Sequence, residues 1–190
     1  MAEAGNEAPE AAKQDRKSEP GSSEPARLEP WLRGTHREIP AVARGVVHAL
    51  ELAREDAARW TAGLTAEQLH RRPGGLPSVA WQMRHIARSL DRLLSYAEGR
   101  QLSPEQMAAL LGEDDPAGTL DELHGELAAA FDDGLRRVAA LAGVDPETPR
   151  GVGRKALPTT VGGLLVHVAD HTQRHTGQLV TTAKLVRDAG

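Results

Sequence analysis

The chain contains no cysteine. That excludes a disulfide framework, a thiolate metal site and a cysteine nucleophile of its own. Aromatic residues are scarce, with three Trp, one Tyr and one Phe. β-Branched residues are sparse outside a few valines, while alanine and leucine dominate, a composition that favours helices over a sheet. No apolar run approaches the roughly 20 residues of a membrane span. The opening stretch MAEAGNEAPEAAKQDRKSEP has no apolar segment behind a basic patch, so it does not read as a secretory signal, and a cytoplasmic protein is expected. A net charge of −4 gives no overall electrostatic reason to bind nucleic acid or an acidic membrane. Several catalytic motifs are missing too. There is no G-x-S-x-G elbow, and the spacing in GVGRKALPTT fails the phosphate-binding loop. HVADH and HTQRH lack the glutamate that follows the first histidine of a zinc protease. A di-iron bundle needs Glu-x-x-His pairs, and the nearest approach is Asp121 with His124.

With 39% hydrophobic residues over 190 positions, the chain can build one domain with a core. Residues 1–30 carry Pro9, Pro20, Pro25 and Pro30, and their only large apolar residues are Met1 and Leu28. Such a segment cannot offset its ordering entropy and is expected to be a disordered tail. Residues 31–190 are expected to form the folded domain. Four long helical patterns follow the tail. The first runs from about Glu38 to Thr61, with Ile39, Val42, Val46, Leu50, Ala53, Ala57 and Trp60 on one face. RRPGGLPS then breaks the chain, and Ser78 caps a second helix from Val79 to about Glu98. A short helix starts at Pro104 after the cap Ser103. The third long helix spans about Thr119 to Ala142, turning Leu120, Leu123, Leu127, Phe131, Val138 and Leu141 inward. GVDPETPRGVGRKALP reads as a long connection, and the fourth helix starts near Thr159. The simplest architecture is an all-α, up-down antiparallel four-helix bundle.

The last helix carries HVADHTQRHTGQL. A spacing of four turns the side chain by only about 40° per step, so His167, His171 and His175 form one row, with Gln178 on the same face. Three histidines at this spacing span roughly 12 Å of axis, too far for one ion, but an adjacent pair can share one. A solvated polar face or core imidazoles bonded to backbone would leave the same pattern. Because neighbouring imidazolium ions repel, burial favours neutral rings around a Lewis acid. A further ligand must come from another helix. His48 lies opposite its apolar stripe and reads as a surface residue, while His36 and His70 fall in connecting segments. His85 flanks the second stripe in a band with Trp81, Ser89 and Tyr96, and His124 lies close to the third stripe. Pattern alone leaves His85 and His124 as equal candidates.

Together, SVAWQMRHIARSLDRLL and the H-x-x-x-H-x-G-Q ending resemble the DinB/YfiT-like superfamily, whose members are read as metal-dependent enzymes. The likeness covers roughly residues 39–187. It implies an up-down four-helix bundle with one divalent metal, Zn²⁺ or Ni²⁺, held by one histidine of the second helix and two of the last. Matched onto this chain, those are His85, His171 and His175, which leaves His167 as an accessory. The resemblance further implies a homodimer and a small-molecule substrate. The implied chemistry is thiol-dependent transfer or isomerisation with a low-molecular-weight thiol such as bacillithiol or mycothiol, or else hydrolysis. A non-catalytic stress-response bundle that binds a metal or small ligand is the alternative. Gln178 is a candidate to orient a ligand or water, or makes a packing hydrogen bond. Trp81 and Tyr96 are candidate pocket walls or core residues. Arg84, Arg88 and Arg92 are candidates to receive an anionic cosubstrate, or form a solvated face.

Overall fold

The structure, a computed structural model, describes residues 28–188. The expected tail lies outside the described residues up to residue 27. From there Leu28 to Pro40 lies along the first helix, with Pro30 buried and Arg33 forking onto both carboxylate oxygens of Glu55.

The helices are α1 (Ala41–Thr61), α2 (Ala66–His70), α3 (Val79–Ala97), α4 (Pro104–Leu111), α5 (Leu120–Leu141) and α6 (Val161–Asp188). Their starts follow from local chemistry. Ser78 accepts from the Trp81 amide. Thr65 with Gln68, Ser103 with Gln106, and Thr119 with Glu122 each form a reciprocal capping box. The first of these builds α2, which sequence reading leaves as a turn around His70. Helix α1 begins after Pro40 rather than at Glu38. Its buried face is Ala43, Val46, Val47, Leu50, Ala53 and Ala57, whereas Val42 is exposed. The core claims the 43/47 flank of the stripe because α1 must meet α5 on one side and α6 on the other.

The four-helix bundle expected from the sequence is what forms, with one small hairpin beside it. Helices α1 and α3 sit diagonally, each packed on both α5 and α6. Cross-helix bonds give the directions. Arg54 meets Asp132 and Thr61 meets His124, so α1 and α5 are antiparallel. Gln82 meets Gln178 and His85 meets His171, so α3 and α6 are antiparallel. Gln173 bonds Ala49 and Arg187 bonds Ala62, so α1 and α6 run together. Arg88 meets Glu126 and Arg137 meets Asp91, so α3 and α5 also run together. The order is therefore up-down-down-up and not the expected up-down antiparallel one, because the 98–119 connection carries the chain back along α3 before α5 begins. Helix α4 lies in that connection, and its Gln106 donates to Asp91 Oδ2 and Ser95 Oγ at 2.7 and 2.8 Å. Buried Arg84 fastens the far end by donating to the Asp115 and Ala117 carbonyls. Parallel packing of α3 on α5 is close where Gly134 faces Leu90; a Cβ at 134 would meet Leu90 Cδ2 at 2.7 Å.

The connection before α6 is not featureless. It holds an antiparallel hairpin of β1 (Pro149–Val152) and β2 (Leu157–Thr160), with Pro149 opposite Thr160. The turn closes through Gly153 and Ala156, both at positive φ. Arg150 ties the hairpin to the end of α3 by donating to the Ala97 carbonyl at 2.7 Å. Thr160 Oγ1 then accepts from Gly163 and starts α6. No described helix is long and apolar enough to cross a membrane.

Candidate metal centre

Helices α3 and α6 bring three histidines together from opposite directions. One ring nitrogen from each of His85, His171 and His175 can be chosen so that all lie within 4.8 Å of one another. The Nε2 atoms of His85 and His171 are 3.0 Å apart. The ring centroids of His85 and His175 are 4.2 Å apart, and those of His171 and His175 are 4.5 Å apart. Two nitrogens that share a tetrahedral zinc, each at 2.0–2.1 Å, sit about 3.3 Å apart, so the observed spacing fits such a donor set. Among the described residues no fourth His, Asp or Glu completes the group.

The outward nitrogens of two rings are also fixed. His85 Nδ1 donates to Glu113 Oε2 at 2.7 Å. His175 Nδ1 donates to Gln82 Oε1 at 2.9 Å, and Gln82 Nε2 donates in turn to Gln178 Oε1 at 3.2 Å. A neutral imidazole that donates from Nδ1 presents a lone pair at Nε2, the form a metal ligand needs. Trp81 lies flat on His85, with centroids 4.6 Å apart and planes 9° apart, and so limits how that ring can tilt.

Burial first, and then the neighbouring imidazoles, lowers the pKa of His171 from 6.5 to about 4. His175 is lowered to about 4 by burial and then by His85 and Arg174, against smaller opposing effects of Gln178 and Glu113. Both rings are neutral at pH 7 without any ion. Burial alone would push Glu113 up, but its bonds to His85 and Arg92 outweigh that and hold its carboxyl below the ordinary glutamate range.

One pH dependence follows. Between pH 6.5 and about 4 the unfolded chain binds more protons at these two histidines than the folded, metal-free chain does. Stability is therefore complete above 6.5 and falls as the pH drops through that window. The urea midpoint of chelator-treated protein should decline from pH 7 to 4.5, and more steeply than that of the H171Q/H175Q variant. Parallel curves for the two proteins would contradict the assignment.

The other histidines are engaged elsewhere. His124 lies with its Nε2 2.6 Å from Thr61 Oγ1 at the α1–α5 seam, so it is His85 and not His124 that lies beside the α6 pair. His70 donates to the Gly118 carbonyl. His36 faces Glu51 at 2.8 Å. His48, expected on the surface, is half-buried beside Thr35. His167 is exposed one turn from His171, with centroids 5.4 Å apart and its Nδ1 3.7 Å from Asp170.

The arginines expected to receive an anion are committed to the protein. Arg84 holds the 115–117 loop, Arg88 bonds Glu126 and the Ala109 carbonyl, and Arg92 bonds Glu113. Tyr96 packs against the core, away from the histidines. Trp81, by contrast, walls a cleft of about 280 Å³ together with Ser78, Glu113 and Pro116. A second cleft, of about 380 Å³, is lined by Leu76, Gln82, Arg174, Gln178 and Thr181. Sequence reading missed Glu113 and Gln82. Gln82 could have been found, because it lies three residues before His85 on the same helix and so near its face; nothing local marks Glu113.

An all-α bundle with a three-histidine group on two of its helices is thus the class the geometry defines. The sequence matches the DinB superfamily over residues 49–179. The chain belongs to that superfamily. No curated protein matches it.

Proposed function

We propose that the chain is a metal-dependent enzyme that binds one divalent ion, Zn²⁺ or Ni²⁺, at His85, His171 and His175, and uses a low-molecular-weight thiol as cosubstrate for transfer to a small electrophile. The observation that carries this reading is a group of three convergent imidazoles, with no fourth His, Asp or Glu beside them among the described residues. Structural sites are closed by four protein ligands, whereas catalytic ones keep a position open. A divalent ion bound there would supply the charge that favours the deprotonated form of a thiol or a water. Neutral ligands leave that charge undiminished.

One feature favours a thiol over hydrolysis. Glu113 has both carboxylate oxygens engaged, by His85 and Arg92, so it does not serve as a general base for water. The chain has no cysteine, so any sulfur nucleophile must come from outside. The protein's own part is to hold the three rings in place, to stack Trp81 against one of them, and to offer clefts lined by their neighbours Trp81 and Gln82 for the reactants. Gln178 holds Gln82 and, through it, His175, which makes it a positioning group.

The test is a panel of small thiols with a chromogenic electrophile, run on zinc- or nickel-loaded protein, metal-free protein and a His175→Ala variant. The loaded protein should consume thiol faster than both controls. Equal rates would contradict the thiol reading, and thiol-independent turnover of esters or amides would favour a hydrolase instead.

A further inference from the structure

Glu113 comes from none of the helices that carry the histidines. It follows α4 in the crossover between α3 and α5, yet it is 5% exposed. A carboxylate buried to that degree is costly unless both oxygens are satisfied. Here they are: Oε2 receives His85 Nδ1–H at 2.7 Å, and Oε1 receives Arg92 Nη1 at 2.8 Å. His85 and Arg92 are seven residues apart on α3, two turns along one face, so a single carboxylate reaches both. The segment that delivers Glu113 is itself fixed to α3. Arg88 Nη1 donates to the Ala109 carbonyl at 2.9 Å, and Gln106 bonds Asp91 and Ser95.

We propose that Glu113 is a positioning residue of the three-histidine centre: clamped by Arg92, it holds His85 in the Nδ1–H form and so aims the Nε2 lone pair at the point shared with His171 and His175. This rests on the three-histidine reading given above. An anionic acceptor behind a ligating imidazole fixes its tautomer and orientation and raises its basicity, and losing such a partner typically weakens metal binding by about 10–100-fold. The crossover that makes α5 run parallel to α3 thereby also completes the site, since it returns Glu113 to the level of His85.

Two readouts separate this role from a merely structural ion pair. The first is the ¹⁵N chemical-shift pattern of the His85 ring in metal-free protein at pH 7.5, which reports the tautomer without any metal. Wild type should show Nδ1–H. Glu113→Ala should lose that preference, and Glu113→Gln, whose amide oxygen still accepts, should retain it. The second is zinc affinity by competition with a chromophoric chelator. Glu113→Ala should bind about 10–100-fold more weakly, and Glu113→Gln and Arg92→Met should fall between it and wild type. If Glu113→Ala does not fold, Glu113→Gln and Arg92→Met carry the affinity test alone. Wild-type zinc affinity in the variants that fold, or an unchanged His85 tautomer in Glu113→Ala, would overturn the proposal. If wild type itself took up no zinc or nickel, the three-histidine reading would fail, while the tautomer measurement would still decide what Glu113 does to His85.

Discussion

Replacing His171 with alanine should reduce zinc uptake from one ion per chain to almost none at micromolar concentrations. His171 closes the triangle of rings, with centroids 5.1 Å from His85 and 4.5 Å from His175. Its removal leaves two nitrogens, too few for a tight site. The loss should exceed the roughly 10–100-fold typical of an outer hydrogen-bond partner. The fold should survive. The ring is only half-buried, and its lowered pKa shows that burial disfavours its charged form rather than drawing stability from it. His124→Ala and His167→Ala are the controls. His124 bonds Thr61 and His167 is exposed, so both variants should bind zinc like wild type. Equal zinc content in His171→Ala and His124→Ala would refute the site. Chelator competition and elemental analysis read the result directly.

The second large effect is on stability. Arg137 of α5 is 7% exposed and forks onto Glu98 with Nε and Nη2 at 2.6 and 2.9 Å. Its Nη1 meets Asp91 at 2.7 Å and Asp133 at 3.1 Å, and Nη2 reaches Ser95 Oγ at 3.2 Å. One guanidinium thus ties α5 to the last two turns of α3, and through Asp91 to Gln106 of α4. These acids hold the Arg137 pKa above its ordinary value against the opposing effect of burial. Arg137→Ala would remove the guanidinium that Asp91 and Glu98 share, leaving Glu98 only the exposed Arg100. A loss of about 3 kcal/mol in urea unfolding is expected, the lower end for breaking a buried pair, because the acids keep some contact with water. Arg136, next in the chain, pairs with Asp133 from a 73% exposed position. Its alanine variant should change stability by less than about 0.5 kcal/mol. Similar losses in the two variants would mean that the α3–α5 seam does not depend on this network. Zinc binding by Arg137→Ala should be intact, since the network meets none of the three histidines.

Much of this architecture is written locally in the sequence. Ser78, Ser103 and Thr119 mark helix starts because a side-chain oxygen meets amides within the first turn, an interaction confined to a few residues. The stripe from Leu120 to Leu141 is legible because every turn of α5 repeats it. The His171–His175 pair is legible for the same reason. What fails to show is whatever depends on distant partners. His85 and His124 look alike in their own helices and differ only in what faces them, α6 in one case and Thr61 in the other. Val42 fits the periodicity of its helix, yet points outward because the neighbours of α1 take the other flank. The parallel course of α3 and α5 is set by a crossover, and no helical pattern encodes which way a loop returns. The hairpin before α6 has short strands containing Pro149 and Pro158 and little alternation, so it reads as loop. Glu113 reads as one of three acids in GEDDPAG, and only the folded crossover distinguishes it from Asp114 and Asp115.

The proposed centre has three protein nitrogens and an open position. X-ray absorption at the zinc edge of the loaded protein, with the metal-to-chain ratio measured on the same sample, tests it most directly. One zinc per chain is expected, with three imidazole nitrogens at about 2.0–2.1 Å and at least one further light ligand that is not an imidazole. A shell of four imidazoles, a shell of oxygens alone, or no stoichiometric zinc would contradict it.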